Sequence, residues 1–340
     1  MIRNSLLAIA LAAVAGVAPA VAQDAQPLTL LKTVPITDVT DKHDFDHFAV
    51  DLAHDQLFVS SEGHHSVEVF NLLTGAHLRT IMSGLKTPHT LAFVQDKNEL
   101  FVADGGDASV KVFEGTTDHQ IAKIPLRPGP DAGVYDSATR LFYVANGGKV
   151  DNSETSTLSA IDVDSLREVR RIPFRSSNLE SMVIDHATQT LYVNIRDKKQ
   201  IGLLDLRTGK LRAVWSVPGM QLNTPMAYDQ ADHRLFVGGR KPGILYVLDS
   251  RDGNVIAKLP CVDTEDDMTY DAPHRMIYLT GADGLDVFRQ NDPDHYTKIE
   301  HVDTLGGKTS EYVPSVARFF VPHTRKSAAA SGLQVFQVNE

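Results

Sequence analysis

The chain has 340 residues, 42% of them hydrophobic, and a formal net charge of −10. A chain of this length buries a core without staples, and its single cysteine, Cys261, excludes both an internal disulfide and the C-x-x-C-H attachment of c-type haem. The acidic balance, with no lysine/arginine run, excludes the electrostatic footprint of a protein that binds nucleic acid or anionic lipid.

The first residues read as a leader. Arg3 supplies a positive start, Leu6 to Val17 an apolar stretch, and Ala20-Val21-Ala22 a small-x-small cleavage site before Gln23. The pattern predicts a secretory signal peptide over 1–22 and a periplasmic or secreted protein. The stretch is too short and wrongly flanked for a membrane anchor, and no other is apolar enough to span a bilayer. No composition break divides the rest, so 23–340 is expected to form one domain, working as a monomer.

Leu28 to Val34 reads as a lone strand. The first full copy of a repeat follows. His47 to Asp51, Leu57 to Ser60, Ser66 to Asn71 and His77 to Ile81 are predicted as strands a, b, c and d. Alternation in Val67-Glu68-Val69-Phe70 gives one buried and one wetter face. An Asp or its stand-in followed about six residues later by a Leu/Ile-aromatic-Val strand recurs along the chain. It reads Asp51 to Leu57-Phe58-Val59, Asp136 to Phe142-Tyr143-Val144, and Asp185 to Leu191-Tyr192-Val193. It recurs as Asp229 to Leu235-Phe236-Val237 and Asp271 to Ile277-Tyr278-Leu279. Leu100-Phe101-Val102 and Phe319-Phe320-Val321 keep the register without the Asp.

These copies lie roughly 41 to 50 residues apart, the period of propeller blades. Thr74-Gly75, Thr208-Gly209 and Asp252-Gly253 fall at the c-to-d turn. Gly105-Gly106, Gly147-Gly148 and Gly238-Gly239 are assigned to the b-to-c connection. Leu333 to Val338 reads as a strand c with no d after it, and Leu28 to Val34 supplies the missing partner. The expected fold is all-β: a seven-bladed β-propeller of four-stranded antiparallel blades, the last closed by the N-terminal strand.

Tyr143-Val144-Ala145-Asn146 and Leu191-Tyr192-Val193-Asn194 resemble the signature of YVTN-repeat propellers. Phe45-Asp46-His47-Phe48-Ala49-Val50-Asp51, Pro225-Met226-Ala227-Tyr228-Asp229, Arg240-Lys241-Pro242 and Lys308-Thr309-Ser310 are similar to the periplasmic YncE-like subgroup. The resemblance spans essentially the whole mature chain and implies the propeller fold and export. It implies little chemistry. The Lys149 to Ser156 insertion and Gly238-Gly239 depart from the commoner pattern.

In a propeller, strand a lines the central channel, and its start shares a face with the b-to-c loops. Overlaying the copies puts Asp46, His89, Asp131, Glu180, Thr224, Asp266 and Lys308 in one column. His47 and a second acid, Asp267, follow directly in two copies, and Asn223 precedes Thr224. Carboxylates converging on one axis repel each other unless a cation sits among them. Asp46, Asp131, Glu180 and Asp266 are therefore candidate ligands for a divalent cation, Ca²⁺ or Mg²⁺ on oxygen alone, Mn²⁺ or Zn²⁺ if His47 and His89 join. The alternative is that each acid caps its own loop or lines a solvated acidic funnel.

His65 and Arg196 lie in b-to-c loops, as does Arg240; the two arginines can clamp an anionic ligand or balance the acidic ring. His43, Asp44, Asp46 and His47 form a local His/Asp cluster better read as turn bonding. The recurrent hairpin Asp residues read as turn caps, and Cys261 as an inert thiol. The insertion is either a lid or surface decoration.

No G-x-S-x-G, H-E-x-x-H or P-loop occurs, and the one tryptophan, Trp215, argues against quinoprotein docking repeats. The favoured expectation is a propeller that binds a small molecule, peptide or protein on the channel face. The alternative is a metal-dependent, lactonase-like hydrolase. By fold-level analogy with six-bladed lactonases, which use Glu, Asn and Asp at the channel mouth, Glu180, Asn223 and Asp266 would play similar parts, with the cation polarising the carbonyl and Asp266 or Glu180 acting as base toward water.

Overall fold

The structure, a computed structural model, describes residues 26–36, 39, 45–324 and 330–339. The leader and the pair His43 and Asp44 lie outside them. Strands account for almost all the regular structure, arranged as 7 four-stranded antiparallel sheets. Blade one takes strands a to d from Phe45–Asp51, Gln56–Ser61, Ser66–Asn71 and His77–Ile81. Blades two to six repeat the order. Their strands a are Pro88–Val94, Gly133–Asp136, Leu179–Asp185, Asn223–Asp229 and Asp267–Asp271. Blade seven combines Glu311–Val313, Arg318–His323 and Gly332–Val338 with the N-terminal strand Leu28–Pro35.

Each strand b carries an apolar-aromatic-aliphatic phrase such as Leu57-Phe58-Val59, and it is buried on both faces because a blade is sandwiched between two others. Leu57, Phe58 and Val59 are all 0% exposed. The apolar cores lie between blades rather than within them. Leu179, Leu191 and Val193 of blade four pack on Tyr143, Ala145 and Leu158 of blade three. The last seam has the same construction: Phe320, Leu333 and Val335 of blade seven meet Phe45, Leu57 and Phe70 of blade one, with Ile36 and Val39. Leu28 pairs with Val338 and Val34 with Leu333 in that closing ladder.

Local chemistry accounts for the connections. Asp51 Oδ1 accepts the backbone N–H groups of Ala53 and His54 at 2.9 and 3.2 Å. Asp136, Asp185 and Asp229 repeat this arrangement in their own hairpins. These carboxylates cap turns at the end of strand a, away from the channel mouth. At the c-to-d turns Gly75, Gly209 and Gly253 take φ of 64°, 68° and 77°. Gly238-Gly239 differs from expectation: both residues belong to strand b of blade five, Arg234–Gly239, not to the loop after it.

The c-to-d pairing shifts by one residue in every blade, for instance at Val69/Phe70, Val112/Phe113 and Leu30/Lys32. A bulge twists the outermost strand away from edge-to-edge pairing. Among the described residues no helix is long and apolar enough to cross a membrane.

Closure predicts the effect of a truncation. Deleting 26–36 removes the outer strand of blade seven and Ile36 from the seam core. The expected loss is on the order of 5 kcal/mol, from the ladder bonds and the exposed apolar surface. Denaturant unfolding and size-exclusion chromatography check it: the truncated protein unfolds at lower denaturant and associates through the bared Gly332–Val338 edge.

Candidate functional site at the channel mouth

All seven residues of the strand-a column, Asp46, His89, Asp131, Glu180, Thr224, Asp266 and Lys308, line one cavity of about 400 Å³. The local backbone explains how they reach it. In blades one, two, four and five an extra residue is inserted at the start of strand a, between Phe45 and Phe48, Pro88 and Leu91, Leu179 and Met182, and Asn223 and Met226. A bulge re-aims side chains that strict alternation would send to opposite faces. Asp46 and His47 therefore both face the cavity, as do Glu180 and Ser181.

A second column joins them. The residue directly after strand b is Glu62 in blade one, Arg196 in blade four and Arg240 in blade five, and all three line the same space. Glu62 was missed by the sequence reading. An overlay of the residue that follows strand b, which puts Glu62 beside Arg196 and Arg240, would have found it. Lys149 and Val150, from the insertion, also reach the cavity, so that segment overhangs the mouth. It is held there by Arg127, which donates to Asp151 at 2.7 and 3.0 Å, and by the Lys149 N–H to Ser177 O at 2.9 Å.

The charges divide into two sectors. In the first, each carboxylate has its own cation. Arg196 Nη1 donates to Glu180 Oε1 at 2.7 Å. Asp266 is bonded by both Arg240 and Lys308, while Arg240 Nε also donates to Glu265 O at 2.6 Å. The arginines thus balance the acidic ring. In the second sector carboxylates crowd around imidazoles. His89 Nδ1 lies 2.9 Å from Asp46 Oδ2, 3.6 Å from Asp131 Oδ1 and 3.9 Å from Glu62 Oε1. His47 sits 3.6 Å from both Asp46 and Asp267, and Asp267 accepts the Ser310 N–H at 2.9 Å.

Protonation follows from burial and these pairings. Burial alone would lower His89, but the hydrogen bond to Asp46 and the Asp131 charge raise it to about 9. Burial likewise opposes the charge on His47, yet Asp46 and Asp267 hold it well above the ordinary range. Asp46 is driven the other way: its burial penalty is outweighed by the two imidazoles, and its carboxyl stays well below the usual range. Burial and the Asp46 charge push Glu62 up to about 7. Burial and Asp131 push Glu180 to about 7, and burial with Asp267 pushes Glu311 to about 8. At neutral pH the mouth therefore holds charged imidazoles next to carboxyls, Glu62 and Glu180, raised toward neutrality.

Two sequence candidates lie elsewhere. Asn223 is 0% exposed, and its Nδ2 donates to Asn194 Oδ1 at 2.6 Å and Gln200 O at 3.0 Å, so it knits blades four and five together. His65 is exposed at a loop position with φ 57° and is not part of the cavity lining. Its neighbour His64 serves the buried Glu68, through contacts to Ser66 Oγ and Glu68 Oε1 at 3.0 and 3.3 Å. Cys261 is half-buried, and burial pushes its thiol up, which keeps it unreactive.

No protein family matches the chain, and no curated protein does. Among solved structures, a chain of Kuenenia stuttgartiensis hydrazine synthase is similar at TM-score 0.72 and 16% identity. The likeness covers 83% of this chain and 93% of that one. The chain is a β-propeller. At that identity the likeness carries the fold and nothing of the chemistry.

Glu265, just behind the cavity wall, generates a pH prediction. It is 0% exposed, and neither carboxyl oxygen has a hydrogen-bond partner. Its Cγ occupies the space left by Gly238, where a Cβ would come within 2.7 Å of it. Burial raises this carboxyl from 4.5 to about 7. The fold prefers its neutral form, so the contribution to stability is complete below pH 4.5 and is lost as the pH rises to about 7. Glu265→Met is expected to be more stable than the parent at pH 8 than at pH 4, by a difference of roughly 3 kcal/mol. Urea unfolding at the two pH values measures it, and an equal effect at both refutes the assignment.

Proposed function

We propose that this chain is an exported, YncE-like binding propeller whose ligand is a small, charged molecule held at the channel mouth. The observation that supports the reading is the cavity of about 400 Å³, into which every blade sends a side chain from the start of strand a or from the segment just before it. A space of that size is within the range that encloses a small molecule. Its walls offer carboxylates and imidazoles on one side and the Arg196 and Arg240 guanidinium groups on the other. A ligand carrying both a cationic and an anionic group finds complementary charge at each end. Export rests on the Arg3 to Ala22 leader pattern, and the family reading on the YVTN-type motifs.

A thermal-shift screen of small charged molecules tests the proposal. A ligand present at about 100 times its Kd is expected to stabilise the fold by about 2.7 kcal/mol. Arg196→Ala and Arg240→Ala should abolish the shift. A shift that survives both substitutions, or one produced only by peptides or proteins, overturns the reading.

The metal-dependent hydrolase remains a second reading because of Glu180, whose carboxyl burial and Asp131 hold at about 7 even though Arg196 pairs with it, a value that suits a general base. Its original residue set is not assembled, since Asn223 is turned into the blade interface and Asp266 is clamped by Arg240 and Lys308. Lactone turnover that falls at least about a hundredfold in Glu180→Gln would establish it; absence of turnover in the parent protein ends it.

A further inference from the structure

We propose that the wall between blades one and two holds a divalent first-row metal ion of the Mn²⁺ or Zn²⁺ kind, on His89, Asp46 and Glu62, with Asp131 beside them. This deepens the channel-mouth reading and rests on it. One donor atom from each of Asp46, Glu62 and His89 lies within 4.8 Å of the other two. Such separations need only a small inward movement to reach a common ion at about 2.0–2.2 Å from each donor. The set differs from the ring of Asp46, Asp131, Glu180 and Asp266 expected on the channel axis. It lies to one side, and it includes Glu62 and a ring nitrogen.

Three observations lead there. The first is the division of charge. Glu180 has Arg196, and Asp266 has Arg240 and Lys308. Asp46, Glu62 and Asp131 instead surround the single Nδ1 of His89. Three carboxylates thus converge on one ring nitrogen, and a divalent ion in place of its proton would bond to more than one of them at once.

The second is how the ring is seated. Gly105, the blade-two residue in the column of Glu62 and Arg196, has no side chain. A Cβ there would come within 2.9 Å of both Cδ2 and Nε2 of His89. The imidazole is thereby pressed against the backbone on its Nε2 side, and Nδ1 is the atom left facing the carboxylates. A ligating ring needs its orientation fixed in this way.

The third is the donor chemistry and access. Oxygen-only sites suit Ca²⁺ and Mg²⁺, whereas an imidazole among carboxylates favours later divalent ions. All four side chains line the open cavity, so water or a ligand oxygen can complete the coordination sphere.

The experiment is titration of the chelator-stripped protein with MnCl₂, ZnCl₂ and CaCl₂ by calorimetry, with Mn²⁺ binding also followed by electron paramagnetic resonance. One ion per chain is expected. Glu62→Gln and His89→Gln should each weaken binding at least about tenfold. Cys261→Ser should leave it unchanged, which excludes thiol ligation. Glu62 is only half-buried, so its variant keeps the test valid if His89→Gln fails to fold, as circular dichroism will report. Absence of uptake overturns the proposal. So does uptake that both variants preserve, or Ca²⁺ binding as tight as Mn²⁺. No organic ligand is present in the titration, so its failure is distinct from failure of the small-molecule reading, which the thermal-shift screen decides.

Discussion

Antiparallel pairing of Leu28–Pro35 with Gly332–Val338 holds the rest of the structure in place. A propeller blade has no core of its own. Its apolar side chains are buried only against the next blade, so the energy of the fold lies in the seams. An open array would leave two apolar faces wet. Closing blade seven with a strand from the other end of the chain removes both, and it sets Ile36 and Val39 into the seam beside Phe45 and Leu57. The channel mouth exists because this ring is complete: side chains far apart in sequence share a wall only when blade seven meets blade one.

Closure also creates an electrostatic problem at the axis. Each blade delivers a residue from the entry to its strand a to the same small space, and most of those residues are charged. Desolvation there costs several kcal/mol per unpaired ion. The protein offsets it in two ways. On one side Arg196, Arg240 and Lys308 neutralise Glu180 and Asp266 directly. On the other, Asp46 stays ionised between two imidazolium groups while Glu62 and Asp131 are pushed upward. An even ring of equivalent carboxylates is therefore replaced by an asymmetric site with a cationic and an acidic sector. The asymmetry gives a ligand a direction in which to bind.

The fold was legible because repetition multiplies a weak local signal. A single Leu-aromatic-Val phrase says little, but seven in register, with Asp or Gly at matching turns, leave few architectures. Gly238-Gly239 misled for a physical reason: glycine pairs usually mark turns, yet here Gly238 lies in a strand to make room for the Glu265 side chain from the next blade. Asn223 misled similarly. It stands one place before the column, but the bulge that turns Thr224 toward the cavity leaves Asn223 facing blade four. His65 belongs to a tight loop whose length carries it past the mouth, while Glu62, three residues earlier, reaches in.

The sequence by itself determined the number of blades, the turn chemistry and which residue of each copy points at the axis. All three follow from local periodicity, which survives in one dimension. Only the tertiary structure decided which charges pair, because that depends on distances between blades: Arg240 reaching Asp266, His89 reaching Asp46, and Lys308 crossing from blade seven to blade six. A column of aligned residues fixes the ring, but the bulges and the small residues at Gly105 and Gly238 fix where within it each side chain comes to rest.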